Sequence, residues 1–276
     1  MKLKRLMRNT LFLLTLAVVF SLTACKSGNT GTSDSAAADT VNKTELSQDV
    51  KDVVYPLPTP FEVTQMLNEL GVKYNATILN PANKVEKYFT ESSKAVNLGV
   101  YSADMAYAAT YDQKQDIKLY SGSLKKLVDD LGINIDYNKF LSEENKEKFN
   151  NKDTLVKYIT NTFFDTYQYL GEKSNPDLAI VMTTGMWVEL MYIATHISED
   201  AYNYTGIVKL ITDQKTSYDK LMELLASRNS SQDIKDLETK LLVLKPVFDK
   251  IDTGLSEADY KTILTTIREV RKNIVS

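Results

Sequence analysis

Glu189 and His196 have the most evident capacity for chemistry in this sequence. They lie seven positions apart in the most apolar stretch beyond the N-terminal leader, which runs from Leu178-Ala179-Ile180-Val181-Met182 through Met186-Trp187-Val188 to Leu190-Met191-Tyr192-Ile193-Ala194. On a helix that spacing is two turns along one face. A carboxylate or imidazole in such surroundings needs a partner, or its pKa moves toward the neutral form. The pair therefore reads in one of two ways. It is a general acid/base or metal-ligand pair, or it is a buried glutamate bonded to a tyrosine or lysine with His196 near a helix C-terminus. Metal chemistry fits poorly: di-iron bundles draw Glu-x-x-His from two helices, and His196 is the single histidine of 276 residues. No HExxH pattern occurs. A Ser-His-Asp triad would have to use the same histidine without a supporting serine context. GxGxxG, Walker A and GxSxG motifs are absent. The sequence therefore assigns no catalytic residue, metal or cofactor.

A second constellation is Gly99-Val100-Tyr101-Ser102-Ala103-Asp104-Met105-Ala106-Tyr107-Ala108-Ala109-Thr110-Tyr111-Asp112. Gly99, Ser102, Ala103, Ala106 and Ala109 form a small-residue stripe that lets a neighbouring helix come close. Tyr101, Asp104, Tyr107 and Tyr111 supply hydroxyls and one carboxylate from adjacent turns. With Trp187, Glu189 and His196 they would line a ligand pocket that has aromatic walls and a charged anchor. Alternatively they mark a tight helix crossing, with the rings packed and the hydroxyls turned to water or to Glu189. In both constellations the structural reading is the favoured one.

The third feature is Cys25, the only cysteine. Residues 1–8 carry Lys2, Lys4, Arg5 and Arg8 and no acid, and residues 11–20 are apolar except for Thr15. This order is that of a secretory signal. The apolar run falls short of the roughly 20 residues that span a bilayer. Leu22-Thr23-Ala24-Cys25 resembles the lipobox of bacterial lipoproteins, which implies cleavage after residue 24 and a lipidated Cys25. No thiol then remains for a disulfide, a nucleophile or a metal site. Removing residues 1–24 takes away four of 33 basic residues and none of 36 acidic ones, moving the net charge from −3 to −7. Such a domain has no electrostatic reason to bind nucleic acid. Its contact with the membrane would come from acyl chains, at about 0.8 kcal/mol per buried methylene.

The elements that must position these residues are helices. Residues 26–48 are rich in Ser, Thr, Gly, Ala and Asn and read as a tether, followed by the extended Tyr55-Pro56-Leu57-Pro58-Thr59-Pro60. The expected division is a leader over 1–24, lipidated Cys25 with its tether over 25–54, and an α-helical domain over 55–276. Pro60 starts a helix that Gly71 closes. A long helical stretch from near Pro81 to Leu131 is expected to break near Gly99 and Ser121-Gly122 and to stop at Gly132. A short charged helix should cover 138–149. Asn151 caps a helix over 152–170, and Asn175-Pro176-Asp177 opens another that runs to about Ile197. Ile207, Ile211, Tyr218, Leu221, Met222 and Leu225 form the stripe of the next. Ile234, Leu237, Leu241, Leu244, Phe248 and Ile251 follow, bent at Pro246. Ser256 caps the last helix, whose stripe is Tyr260, Ile263, Ile267, Val270 and Ile274. These periods are helical, and short loops favour antiparallel neighbours. The expected fold is an all-α antiparallel helical bundle, with helical-repeat-like hairpin stacking as second choice.

The run Gly99-Val100-Tyr101-Ser102-Ala103-Asp104, with Tyr107, Thr110-Tyr111 and Leu124 to Leu131, resembles a group of all-helical envelope lipoproteins from Bacteroidetes-type bacteria that have no assigned activity. The resemblance implies an α-helical fold and an envelope location, and it carries over no catalytic residue. Lys26-Ser27-Gly28-Asn29 lacks the acidic run of surface export in such bacteria, and no Asp follows Cys25 as an inner-membrane retention signal. The expected location is therefore the outer membrane, facing the periplasm. The leading expectation is a non-enzymatic, lipid-anchored envelope lipoprotein whose helical bundle binds a partner protein or serves as a scaffold. A small-ligand binder using the Tyr/Asp/Trp set is the alternative, and an enzyme using Glu189 and His196 comes third. The expected partners are the membrane, through Cys25, and an envelope protein or small ligand.

Overall fold

Capping chemistry sets the helices. In the computed structural model, residues 60–276 are described apart from 199–200 and 229–230. The expected leader, Cys25 and tether lie outside the described residues. The main helices are α1 (Pro60–Glu69), α2 (Glu91–Thr110), α3 (Lys114–Asp130), α4 (Lys152–Tyr169), α5 (Pro176–His196), α6 (Thr205–Thr212), α7 (Lys215–Ser227), α8 (Gln232–Leu241) and α9 (Glu257–Ile274), with no strand among the described residues. Thr90 and Ser93 exchange hydrogen bonds as a capping box at the start of α2. The Asn151, Asn175 and Ser256 side chains accept from the first turns of α4, α5 and α9.

Helices α1, α2 and α3 all end in the same left-handed turn, at Gly71 (φ 74°), Asp112 (φ 53°) and Gly132 (φ 68°). In each case the next amide reaches back five residues: Val72 N to Leu67 O at 3.1 Å, Gln113 N to Ala108 O at 2.9 Å, and Ile133 N to Val128 O at 2.8 Å. This corrects the expected long stretch from 81 to 131. Its break falls at Asp112, because aspartate tolerates the left-handed region, and not at Gly99 or Gly122, which both lie inside helices. Residues 82–87 form a 3-10 turn ahead of α2. Three further expectations are refined. The 138–149 segment is a 3-10 turn followed by a single helical turn at Lys146–Phe149. The 207–225 stripe is divided between α6 and α7. The segment around Pro246 is a 3-10 turn and a short helix, Lys245–Phe248, beyond α8.

Helices α2 and α5 form the centre. A Cβ added to Gly99 would lie 1.9 Å from Met182 O, and one on Gly185 would lie 2.1 Å from Val96 O. The two backbones therefore touch at this crossing, and only glycine leaves room for it. Thr90–Ser92 and Asn175–Leu178 wall one surface cleft, so the central pair runs parallel. The surrounding helices pack antiparallel. Lys94 near the start of α2 pairs with Asp130 at the end of α3, Tyr218 in α7 bonds Leu241 O at the end of α8, and Tyr260 at the start of α9 bonds Thr195 O near the end of α5. Helix α5 is long and apolar enough to cross a membrane, but 94% of its most apolar window is buried by the rest of the chain. Its hydrophobicity serves the core.

Candidate functional site

Between α1 and α2 the chain crosses the tyrosine face of α2 as an irregular strap, residues 72–82, which contains the 3-10 turn Ala76–Ile78. An irregular segment has few internal partners for its main chain, so side chains must supply them. Three α2 residues singled out in the sequence, and Tyr111 at the C-cap of that helix, do so in order. Tyr111 Oη donates to Val72 O at 2.9 Å, and Tyr107 Oη accepts from Asn75 N at 3.0 Å. Asp104 Oδ2 accepts from Asn80 N at 3.2 Å, and Tyr101 Oη donates to Pro81 O at 3.0 Å. As the number falls along α2 it rises along the strap, so the strap runs antiparallel to the helix. These positions share about a third of the helix circumference. Arg271 of α9 donates to Ile78 O at 3.0 Å, and Ser123 of α3 donates to Ala82 O at 2.9 Å. Tyr74 stacks on Tyr107 with ring centroids 5.0 Å apart and donates to Asp116 at 2.6 Å. Ile78, Leu79, Val85 and Tyr88 anchor the segment apolarly. Burial raises Tyr101 and Tyr107 far above the ordinary phenol range and pushes Tyr111 up to about 12. All three hydroxyls stay neutral at pH 7.

Next to the strap lies a closed polar centre. Glu189 of α5 and Asp104 are both fully buried. Arg271 grips Glu189 through two bonds, Nε to Oε2 at 2.6 Å and Nη2 to Oε1 at 2.7 Å. The guanidinium also sits 4.0 Å from the centroid of the Tyr192 ring, which stacks on the His196 imidazole at 3.9 Å. His196 Nδ1 bonds Tyr192 O at 3.0 Å, so Nε2 is the acceptor for Arg268 Nε at 3.1 Å. Burial, reinforced by Arg268 and Arg271, lowers His196 to about 4 against the opposing bond to Tyr192 O. It is neutral at pH 7.

Glu189, Tyr192 and His196 thus form one ladder with two arginines of α9. Its chemistry is that of a capped ion pair, with no water-accessible surface at the carboxylate. The expected tyrosine or lysine partner for Glu189 is corrected to Arg271. The expected turn of the α2 hydroxyls toward water or Glu189 is likewise corrected, since they bond the strap's main chain. Trp187 does not join either group. It lies two residues, or about 200°, around the helix from Glu189, and packs with Tyr218 and Phe248 at 5.9 and 6.3 Å. The candidate pocket residues are therefore brought together in two clusters that meet at Asp104, with Trp187 apart. Asn80 and Arg271 are the residues that sequence reasoning missed. Arg271 follows the Ile267 stripe position by four residues, which places it beside the buried face of α9. That spacing was the available signal. No group of three or more His, Cys, Asp or Glu side chains suited to a metal occurs among the described residues.

The fold and site together define an all-α bundle built on a parallel glycine crossing, with an internally clamped polar centre. No protein-family model matches the chain, and no curated protein or solved structure is significantly similar to it.

Proposed function

We propose that this protein is a non-enzymatic, lipid-anchored envelope protein whose helical bundle is a partner-binding or scaffold module. The observation that carries this reading is that, among the described residues, the Glu189 carboxylate and the α2 tyrosine hydroxyls are occupied by the chain itself. The Glu189 carboxylate is bound by Arg271, and the hydroxyls of Tyr101, Tyr107 and Tyr111 are bonded to the main chain of residues 72–81. An acid, base or ligand anchor needs a reacting atom within about 3 Å, and at Glu189 and the three tyrosine hydroxyls that position is filled by guanidinium or peptide. The lipobox-like Leu22-Thr23-Ala24-Cys25 supplies the anchor in this reading. A buried ion pair with satisfied bonds is a means of fixing one packing arrangement, which suits a scaffold.

The test is native electrophoresis of the full chain, made with its own leader in a bacterial host and extracted in mild detergent. The expected result is migration in an assembly larger than the detergent-bound monomer, retained by His196→Ala. A monomer together with a substrate turnover abolished by Glu189→Gln, in a variant that remains folded, would overturn the proposal in favour of an enzyme.

A further inference from the structure

The polar centre holds two carboxyl groups and one guanidinium, which spends its Nε and Nη2 donors on Glu189 and Ile78 O and makes no hydrogen bond to Asp104. Asp104 is fully buried, its Oδ2 has one amide donor, and its Oδ1 has no donor; the carboxyl lies within bonding reach of Glu189, a bond that only a protonated carboxyl can make. A second negative charge in this closed space would be uncompensated, and an isolated buried carboxylate is so costly that it takes up a proton instead. The groups facing Asp104 leave no other source of positive charge. They are Glu189 from α5, Arg271 from α9, Tyr120 from α3, Tyr101 from its own helix, and Tyr74, Asn80 and Tyr88 from the segment that covers it. Burial first and the Glu189 charge second hold Asp104 well above the ordinary carboxylate range, while Arg271 and the Asn80 amide act in the opposite direction.

The cover over this carboxyl is the strap. Asn80 N attaches it to Asp104 directly, and Ile78 O and Pro81 O on either side attach it to Arg271 and Tyr101, both of which face Asp104. We propose that the strap is a proton-linked latch: seating residues 78–81 on α2 takes up one proton onto Asp104, and lifting them releases it to water. With the strap lifted, water reaches Asp104 and restores an ordinary carboxylate. The closed state then carries one proton more than the open state. Between the open and closed pKa values of Asp104, the opening constant therefore rises up to tenfold per pH unit. Acid holds the latch shut and alkali loosens it.

Amide hydrogen exchange on the full chain tests this, following Asn75 and Asn80 by NMR from about pH 5 to about pH 8 and correcting for intrinsic base catalysis. In the wild type, protection at Asn80 is expected to fall with rising pH, by up to tenfold per unit. In Asp104→Asn, which keeps an oxygen acceptor for the Asn80 amide and carries no charge, the fall should vanish. The same slope in both proteins, or a flat wild-type profile, overturns the latch. Should Asp104→Asn fail to fold, the ¹³C carboxyl shift of Asp104 in the wild type decides. A carboxyl that stays protonated well above the ordinary carboxylate range supports the proposal, and one that titrates within that range overturns it.

Discussion

Replacing Gly99 by alanine places a methyl carbon 1.9 Å from the Met182 carbonyl oxygen and 2.7 Å from the Met186 nitrogen. Both neighbours are backbone, so no rotamer change relieves the clash. Reaching even the 3.0 Å below which real Cβ contacts essentially never occur requires α2 and α5 to part by 3.0 − 1.9 = 1.1 Å. That separation unseats the side chains packed on both sides of the crossing. Overpacking of this kind costs about 1–3 kcal/mol, and more where backbone must move. The gain in helix propensity from Gly to Ala returns only about 1 kcal/mol; because both contacts are backbone, the cost lies at the upper end of that range and the net loss is about 2 kcal/mol. At about 2–4 °C per kcal/mol for a domain of this size, the midpoint falls by about 4–8 °C.

Gly122 is the internal control. It is exposed within α3, and a Cβ there meets nothing within 4 Å. Gly122→Ala therefore keeps the propensity gain without a clash and should raise stability by about 0.5–1 kcal/mol. Thermal and urea unfolding of both variants measures the pair. Equal or greater stability of Gly99→Ala relative to wild type would refute the backbone contact on which the whole arrangement of α2 and α5 rests.

Two further outcomes follow from the polar centre. Arg271→Met leaves Glu189 buried without its partner and Ile78 O unbonded, and should cost about 3–5 kcal/mol. Adding Glu189→Met should recover most of that loss, whereas a double variant as unstable as the sum of the singles would contradict a purely structural ion pair. His196 has a folded pKa of about 4 against 6.5 for the free side chain, so below 6.5 the unfolded chain binds more protons than the folded one. Its contribution makes stability fall as pH drops from 6.5 toward 4, and His196→Gln should flatten that part of the profile in pH-dependent melts. A raised Asp104 acts in the opposite direction, lowering stability as pH rises above the ordinary carboxylate value. The two slopes are separated by comparing His196→Gln with Asp104→Asn.

The helical architecture was legible in the sequence wherever a local signal matched a local cause. Asn175-Pro176-Asp177 and Ser256 start helices as read, and Gly71 and Gly132 end them. Asp112 performs the same turn as those glycines, but aspartate marks helix starts and surfaces as readily as ends, so the break after α2 was hidden. Gly99 misled for the opposite reason. Its lack of a side chain serves a contact with residues 182 and 186, far along the chain, and nothing nearby in the sequence distinguishes that use from a helix break. The candidate site was half legible. The α2 tyrosines, Asp104 and Glu189 stood out because polar groups are costly in apolar surroundings. Their partners did not, since a main-chain carbonyl at Val72 or Pro81 has no signature and Arg271 belongs to an outwardly ordinary amphipathic helix. The parallel direction of α2 and α5 was likewise invisible, because it depends on the return of the chain over residues 131–151, which lets α3 and α4 both run opposite to α2.

The claim that this bundle is a tethered envelope module is tested most directly by the intact mass of the mature chain, purified from the membranes of a bacterial host that processes the leader. The account predicts a chain that begins at Cys25, lacks residues 1–24 and carries a diacylglyceryl group on the sulfur. A chain that retains residues 1–24, or one whose Cys25 thiol is free, would contradict it.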